Sequence, residues 1–184
     1  MGHRKELTWF IYIFNYSRVD DEKINLYIDN LFKELKIGNI ELDYTNIFCN
    51  QKTKKRFEPF INSYDDQPLC DNDRFLVRLN NYFGEVSGQK FGDELKFIFL
   101  GEKVSMRHQW GDAQGTWLTV IGCMHEKNIW HEVAHLLGAE DHYGDGMNRC
   151  KNPDRCIMTY GKTEGVLCEE ALAEIRNYIS TLKG

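Results

Sequence analysis

Residues 131–143 of this chain read His-Glu-Val-Ala-His-Leu-Leu-Gly-Ala-Glu-Asp-His-Tyr, and this stretch constrains the fold more than any other. On a helix, His131 and His135 are four residues apart, so both imidazoles project from one face within reach of a single zinc ion. Glu132 follows the first histidine, where a carboxylate can take a proton from a metal-bound water. Gly138 can adopt the left-handed geometry that turns a chain sharply out of a helix. The stretch therefore predicts a helix that ends near Gly138 and carries part of a hydrolytic zinc site.

Two residues beyond the turn are candidates for the third zinc ligand. Asp141 lies three positions after Gly138, and a carboxylate oxygen is an accepted zinc donor. His142 follows directly, and imidazole is the better-known donor. Three protein ligands would leave a fourth position open for water, as catalytic zinc sites do. The motif thus predicts one catalytic zinc ion (Zn2+).

A second motif, Cys156-Ile157-Met158-Thr159-Tyr160-Gly161, lies downstream of the helix and looks like a Met-turn. With the long zinc motif before it, the chain resembles the metzincin clan of zinc endopeptidases, in the form with Asp as third ligand. Residues 138–143 are similar to the snapalysins. The Cys-x-Met turn and the cysteines after it are similar to the archaemetzincins. The resemblance covers about residues 128–172.

The resemblance assigns roles to three residues. It implies that Asp141, rather than His142, completes the zinc site. It implies that Met158 forms an apolar floor beneath the metal. Tyr160 matches a tyrosine that reaches the zinc in some metzincins, where a phenol could then hydrogen-bond the developing oxyanion. The alternative for Tyr160 is a tyrosine that only packs.

Three cysteines, Cys150, Cys156 and Cys168, surround the second motif. Archaemetzincins carry a second, structural zinc held by four cysteines, but Ala171 occupies the position of the fourth. A closed site would need another cysteine or a histidine to come in from elsewhere. We therefore expect no tight second zinc, and either one disulfide or three free thiols.

The length of 184 residues favours a single catalytic domain, with an upper subdomain of about residues 1–138 and a lower one of about 139–184. We predict an α/β (α+β), metzincin-like fold: a twisted mixed sheet with two helices and the zinc helix, then a small irregular part that ends in a helix. The predicted strands are 8–16, 40–48, 95–100 and 116–122. The predicted helices are 20–36, 73–83 and 169–182, with a long loop over 49–72.

Charge and hydropathy exclude some functions. The net charge of −5 disfavours a nucleic-acid partner, and no segment approaches the ~20 apolar residues of a membrane span. Residues 7–14 form a short apolar run without a small-residue cleavage site, which favours a strand over a signal peptide. We expect a cytoplasmic monomer, the alternative being a secreted protein whose leader is absent from the chain.

The predicted activity is hydrolysis of peptide bonds in a peptide or protein substrate. Glu132 would act as general base, and the substrate would lie extended along an edge strand around Trp117 to Ile121. One alternative is a zinc-bound but inactive peptide-binding protein, for which the base would have no use. The other is a structural zinc module, but such sites are usually closed by four cysteine or histidine ligands.

Overall fold

Five strands and four helices make up the part of the chain that this computed structural model describes, residues 8–62, 81, 95–101, 111–143, 150–159 and 164–182. The elements are β1 (Thr8–Asn15), α1 (Asp21–Ile37), β2 (Asp43–Phe48), α2 (Gln51–Asn62), β3 (Leu95–Leu100), β4 (Gly111–Gln114), β5 (Leu118–Ile121), α3 (Glu126–Leu136), a 3-10 turn (Pro153–Arg155) and α4 (Glu169–Leu182). The sheet order is β2-β1-β3-β5-β4. The first four strands are parallel and β4 is antiparallel to β5, so the predicted mixed α/β fold is confirmed.

The central strands are the most buried because helices cover the sheet. In β3 the last five residues are all buried, as expected for a parallel strand with no solvent-facing side. Helix α1 follows the predicted bounds closely and buries one stripe of apolar side chains, Ile24, Ile28, Leu31, Phe32 and Leu35. Helix α3 packs against α1, and the indole nitrogen of Trp130 donates a hydrogen bond to the carbonyl of Tyr27 at 2.8 Å.

Helix α2 corrects the predicted loop over residues 49–72. The side chain of Asn50 accepts a hydrogen bond from the Thr53 N–H at 3.0 Å, which satisfies one of the free donors at the start of the helix. Phe57 is 1% exposed, and its ring centroid lies 4.9 Å from that of Phe14. This ring contact and two hydrogen bonds, from the Tyr16 hydroxyl to the Lys54 carbonyl and from Nζ of Lys54 to the Asn15 carbonyl, hold the helix to the sheet. The predicted helix at 73–83 lies outside the described residues apart from Asn81.

A buried lysine links helix α4 to the sheet. Lys96 of β3 is 1% exposed, and its Nζ lies 4.4 Å from the centre of the Trp9 ring and 5.2 Å from that of Tyr178. The ammonium also donates hydrogen bonds to the Thr116 carbonyl and to the Tyr178 hydroxyl. These contacts compensate for the loss of water around a buried charge. They fix α4 beside the end of α3, where the functional residues lie. No helix within the described ranges is long and apolar enough to cross a membrane.

Candidate metal centres

Helix α3 ends at a tight left-handed turn, as the sequence predicts. Gly138 has φ 90°, its N–H donates to the His135 carbonyl at 2.9 Å, and the N–H of Ala139 donates to the Ala134 carbonyl at 3.0 Å. This is the pair of bonds that a Schellman motif makes. A Cβ at Gly138 would lie 2.5 Å from the Cβ of Tyr178, so the packing of α4 also requires a glycine there. The turn directs residues 139–142 back along the helix.

The turn brings Asp141 to the two helical histidines, and we call His131, His135 and Asp141 the first centre. The Nε2 atoms of His131 and His135 lie 3.2 Å apart, and Oδ1 of Asp141 lies 3.4 Å from each of them. Donors on a tetrahedral zinc, with bonds of 2.0–2.2 Å, are about 3.3–3.5 Å apart. The three atoms therefore have the spacing of ligands around one ion.

The hydrogen bonds behind the rings decide which nitrogens face the centre. Nδ1 of His131 donates to the Ile157 carbonyl at 2.7 Å, and Nδ1 of His135 donates to the Ala139 carbonyl at 2.9 Å. A carbonyl can only accept, so both neutral rings carry the proton on Nδ1 and direct the Nε2 lone pair inward. Oδ1 of Asp141 is buried and has no hydrogen-bond donor. Three lone pairs thus converge on one point, an arrangement that a cation stabilises.

The pKa values reflect the same convergence. Burial alone would raise the pKa of Asp141, but the interactions of its carboxylate with the His131 and His135 rings outweigh burial and lower that pKa well below its usual range. Burial alone would lower the pKa of His135, but its interaction with Asp141 and the nearby charge of Glu132 raise it. The centre therefore favours a carboxylate with positive charge beside it.

Glu132 lies next to the first centre rather than in it. Its Oε1 is 4.0 Å from Nε2 of His131, and its Oε2 lies 3.4 Å from the hydroxyl of Thr119. The residue is only 4% exposed. A Cβ at Gly111 would lie 2.4 Å from the carboxylate carbon, so the absence of a side chain on β4 makes room for this carboxylate.

The edge of the sheet beside the centre is β4, which corrects the expected substrate strand. Strand β5, which covers most of residues 117–121, pairs with β3 on one side and β4 on the other, so its backbone has no free edge for a peptide. Among the strands that the structure describes, β4 is the outermost on this side, and Gly111 places it directly against Glu132. An extended peptide could therefore pair with β4.

A second cluster lies on the other side of residues 141–142, and we call His142, Cys150, Cys156 and Cys168 the second centre. One ligand atom from each of the four lies within 4.8 Å of the others. Nδ1 of His142 is 3.6 Å from Sγ of Cys156 and 3.3 Å from Sγ of Cys168. Sulfur and nitrogen donors on one tetrahedral zinc are about 3.6 Å apart. The fourth ligand that a closed site would need is therefore available: it is the histidine His142, which stands in for the missing cysteine.

The second centre is closed, and its cysteines are all free thiols. The side chain of His142 is fully buried, and Cys156 is 0% exposed. Burial raises the pKa of Cys156 and, more strongly, that of Cys168, so without a cation the thiols stay protonated. Cys168 directly precedes α4, and its sulfur accepts the Ala171 N–H at 3.5 Å. Ala171, which replaces the cysteine of the resemblance, contributes a backbone donor instead.

Residues 156–158, the region of the predicted Met-turn, contact residues of both centres. Met158 is 0% exposed, and its carbonyl accepts the His142 N–H at 2.9 Å. Tyr160, predicted to reach the zinc, lies outside the described residues. The place of His142 in the second centre was not predicted, because it depends on how the cysteines around it come together in the fold. The adjacent Asp141 was a usable signal, because neighbouring side chains outside a helix can face opposite sides, and here they belong to different centres.

The solved structures that share this fold include an archaemetzincin and a metalloproteinase. The chain matches the archaemetzincin from Methanopyrus kandleri with a TM-score of 0.52 at 11% identity, over 97% of this chain and 98% of that one. It matches metalloproteinase-II from Bacteroides fragilis with a TM-score of 0.54 at 17% identity, over 95% of this chain and 54% of that one. No protein-family model matches the sequence, and no curated protein matches it. The fold is therefore one that metalloproteases use.

Proposed function

We propose that the protein is a zinc-dependent metalloendopeptidase that hydrolyses peptide bonds in a peptide or protein substrate. The observation that carries this proposal is the first centre, where three lone pairs converge at zinc-ligand spacing beside a buried carboxylate. The shared fold with an archaemetzincin and a bacterial metalloproteinase supports it. The reaction class is metal-assisted amide hydrolysis.

The first centre would hold zinc through Nε2 of His131, Nε2 of His135 and Oδ1 of Asp141. When bound there, zinc would supply a Lewis acid and lower the pKa of a water molecule toward ~7. The carbonyls of Ile157 and Ala139 keep both rings in the required tautomer. The protein's contribution is thus a set of donors that need no rearrangement when the metal arrives.

Glu132 would move the protons. Oε1 faces the first centre, so it can accept a proton from the attacking water as the water oxygen bonds to the scissile carbonyl carbon. The same oxygen would then give the proton to the leaving amine as the C–N bond breaks. Tyr160 remains our candidate for a donor to the developing oxyanion, a role that a phenol beside the reacting carbonyl can fill.

The substrate would pair with the outer edge of β4, the last strand of the sheet in the described part of the chain. Main-chain hydrogen bonds to Gly111–Gln114 would hold the peptide extended, and they are indifferent to side chains. The edge adjoins Glu132, so a peptide there would place a carbonyl beside the water that this base deprotonates. This geometry favours an endopeptidase, because an edge strand accepts the middle of a chain.

We infer that the second centre holds a structural zinc through Nδ1 of His142 and the three thiolates. Four ligands of this type close a zinc site against substrate and water. Glu174 faces Nε2 of His142 with both oxygens at 3.3 Å, which orients the ring so that Nδ1 points to the sulfurs. The lower part of the chain, with little regular structure before α4, would be stabilised by this ion.

The test is an assay on unfolded casein with the full chain, with and without a chelator, together with Glu132→Gln. We expect chelator-sensitive cleavage that Glu132→Gln reduces by about 100- to 10,000-fold with zinc still bound. The matched control is Glu164→Gln, a change at an exposed glutamate that should leave cleavage unaltered. Zinc binding without any cleavage by the unaltered chain would support the inactive peptide-binding alternative instead.

A further inference from the structure

Residues 140–142 take part in both centres. Oδ1 of Asp141 lies 3.4 Å from the nitrogens of the first centre, while Nδ1 of His142 lies 3.3 Å from Sγ of Cys168 in the second. One peptide bond separates the two side chains. A movement of this segment that displaces one side chain must therefore displace the other.

Residues 156–158 form a second shared segment. Sγ of Cys156 belongs to the second centre, and the next carbonyl, that of Ile157, accepts the Nδ1 hydrogen bond of His131 at 2.7 Å. The carbonyl of Met158 accepts the N–H of His142 at 2.9 Å, which joins the two segments. The orientation of a first-centre ring thus depends on a backbone that a second-centre ligand holds.

Glu174 of α4 fastens the first of these segments on both sides of Asp141. Its Oε2 accepts the N–H of Glu140 at 2.9 Å, and both of its oxygens lie 3.3 Å from Nε2 of His142. Neither oxygen belongs to a set of ligand atoms. Glu174 therefore acts on the first centre through Asp141, as a positioning residue.

We propose that the two centres are thermodynamically coupled: metal in the second centre fixes both shared segments and so strengthens metal binding at the first. The inference rests on the proposed function, since it requires both centres to bind metal. A filled second centre holds Cys156 and His142 in place, which presets Asp141 and the carbonyl behind His131. When the second centre is empty, the two shared segments become ordered only when metal binds at the first centre. The entropic cost of this ordering then weakens metal binding at the first centre.

The experiment follows cobalt binding to the metal-free full chain. Co2+ gives a sulfur-to-metal charge-transfer band only where thiolates bind it, so that band reports the second centre, and a competing chelator gives the affinity of the sulfur-free first centre. The first variant is Cys168→Ser, which removes a second-centre ligand that lies on neither shared segment. We expect the band to weaken and the first-centre affinity to fall about 5- to 150-fold. The matched control is Cys123→Ser, a thiol outside both centres.

A second variant, Glu174→Ala, keeps every ligand of both centres. We expect a retained charge-transfer band with weaker first-centre binding, whereas Glu169→Ala, at an exposed position on the same helix, should change neither. This variant tests the shared segment alone; if Cys168→Ser fails to fold, the coupling is decided by comparing the first-centre affinity of the unaltered chain before and after its charge-transfer band has saturated. First-centre affinity that stays unchanged in both variants would overturn the coupling, although two cobalt ions would still support the proposed function. Absence of cobalt from both centres of the unaltered chain would overturn the proposed function itself.

Discussion

The two centres lie on either side of one peptide bond, yet they differ in the properties that separate catalytic from structural metal sites. The first has two nitrogens and one oxygen, and the side chain of Asp141 is 42% exposed. The second has one nitrogen and three sulfurs around a fully buried His142. An incomplete, open ligand set leaves room for water, while a complete, closed one does not. The side to which each residue turns therefore decides its centre: Asp141 joins the open set of ligands and His142 the closed one.

The carboxylates beside the centres sharpen this contrast. Oε1 of Glu132 lies 4.0 Å from Nε2 of His131, on the side of the ring that faces the other donors. Glu174 lies 3.3 Å from Nε2 of His142, on the side away from the sulfurs. A carboxylate on the donor side can exchange protons with a bound water, whereas one on the far side can only orient the ring.

The largest difference should appear on metal removal. A chelator should take zinc from the first centre, which opens to solvent at Asp141, and abolish cleavage while one zinc ion per chain remains. The second ion should leave only after thiol modification, because three buried sulfurs hold it. Zinc analysis and the casein assay at increasing chelator concentration measure both. Simultaneous release of both ions would contradict the distinction between an open and a closed centre.

The adjacent residues Asp141 and His142 offer the next test. Asp141→Ala should weaken first-centre zinc binding by more than about 100-fold, the upper end for changes to outer partners of a ligand, and cleavage should fall with it. His142→Ala should retain first-centre ligands and lose the second zinc ion. The measurement is zinc stoichiometry with the melting temperature of each variant. If instead His142→Ala lost the catalytic ion directly, with the second ion retained, the assignment would have to be exchanged.

Stability should depend on the second centre. Loss of an ion present at 1,000 times its dissociation constant costs about 4 kcal/mol, which lowers the melting temperature of a chain of this size by about 8–16 °C. Cys150→Ser should show a decrease of this order in thermal unfolding followed by circular dichroism. Cys49→Ser, at a cysteine outside the second centre, is the control. An equally large decrease of the melting temperature in the control would show that the effect is not specific to the second centre.

The smallest effect concerns the position of the base. Thr119→Val removes the hydroxyl near Oε2 of Glu132, and a hydrogen bond worth about 0.5–1.5 kcal/mol corresponds to about a 2- to 12-fold loss of kcat. KM and zinc content should not change, and Thr119→Ser should restore kcat. Steady-state kinetics on a fluorogenic peptide separates the two constants. An equal loss in the serine variant would indicate a packing role.

Much of the fold follows from local pattern. Helices α1 and α4 match their predicted ranges because their apolar residues repeat with a clear period over one buried face. Strand β3 matches because it is a short, nearly continuous apolar run. Helix α2 was missed because its many basic residues and the internal Pro59 are typical of a solvated loop. The edge strand was misassigned because strand order arises from long-range pairing, which no local pattern records.

The site divides in the same way. Spacing within one helix brings His131 and His135 together and sets Glu132 beside them, so the sequence alone indicates these three. The second centre joins four residues that are spread over 27 positions, from His142 to Cys168. Its assembly depends on how the irregular lower part folds, and composition gives no account of that. The two centres are linked in the sequence only by Asp141 and His142, neighbours whose side chains alternate between the first centre and the second.

Because Asp141 and His142 belong to different centres, the number of residues between Gly138 and His142 matters more for the two centres than the identity of any one of them. A substitution at Asp141 or His142 alters one centre, and the other keeps its donors. Deletion of a single residue after the glycine would instead bring an imidazole toward the two helical histidines and leave the sulfurs without their nitrogen donor. Insertion of a single residue would likewise displace the carboxylate from its place. Because one insertion or deletion disturbs both centres at once, the function of this segment should tolerate a change of donor better than a change of spacing.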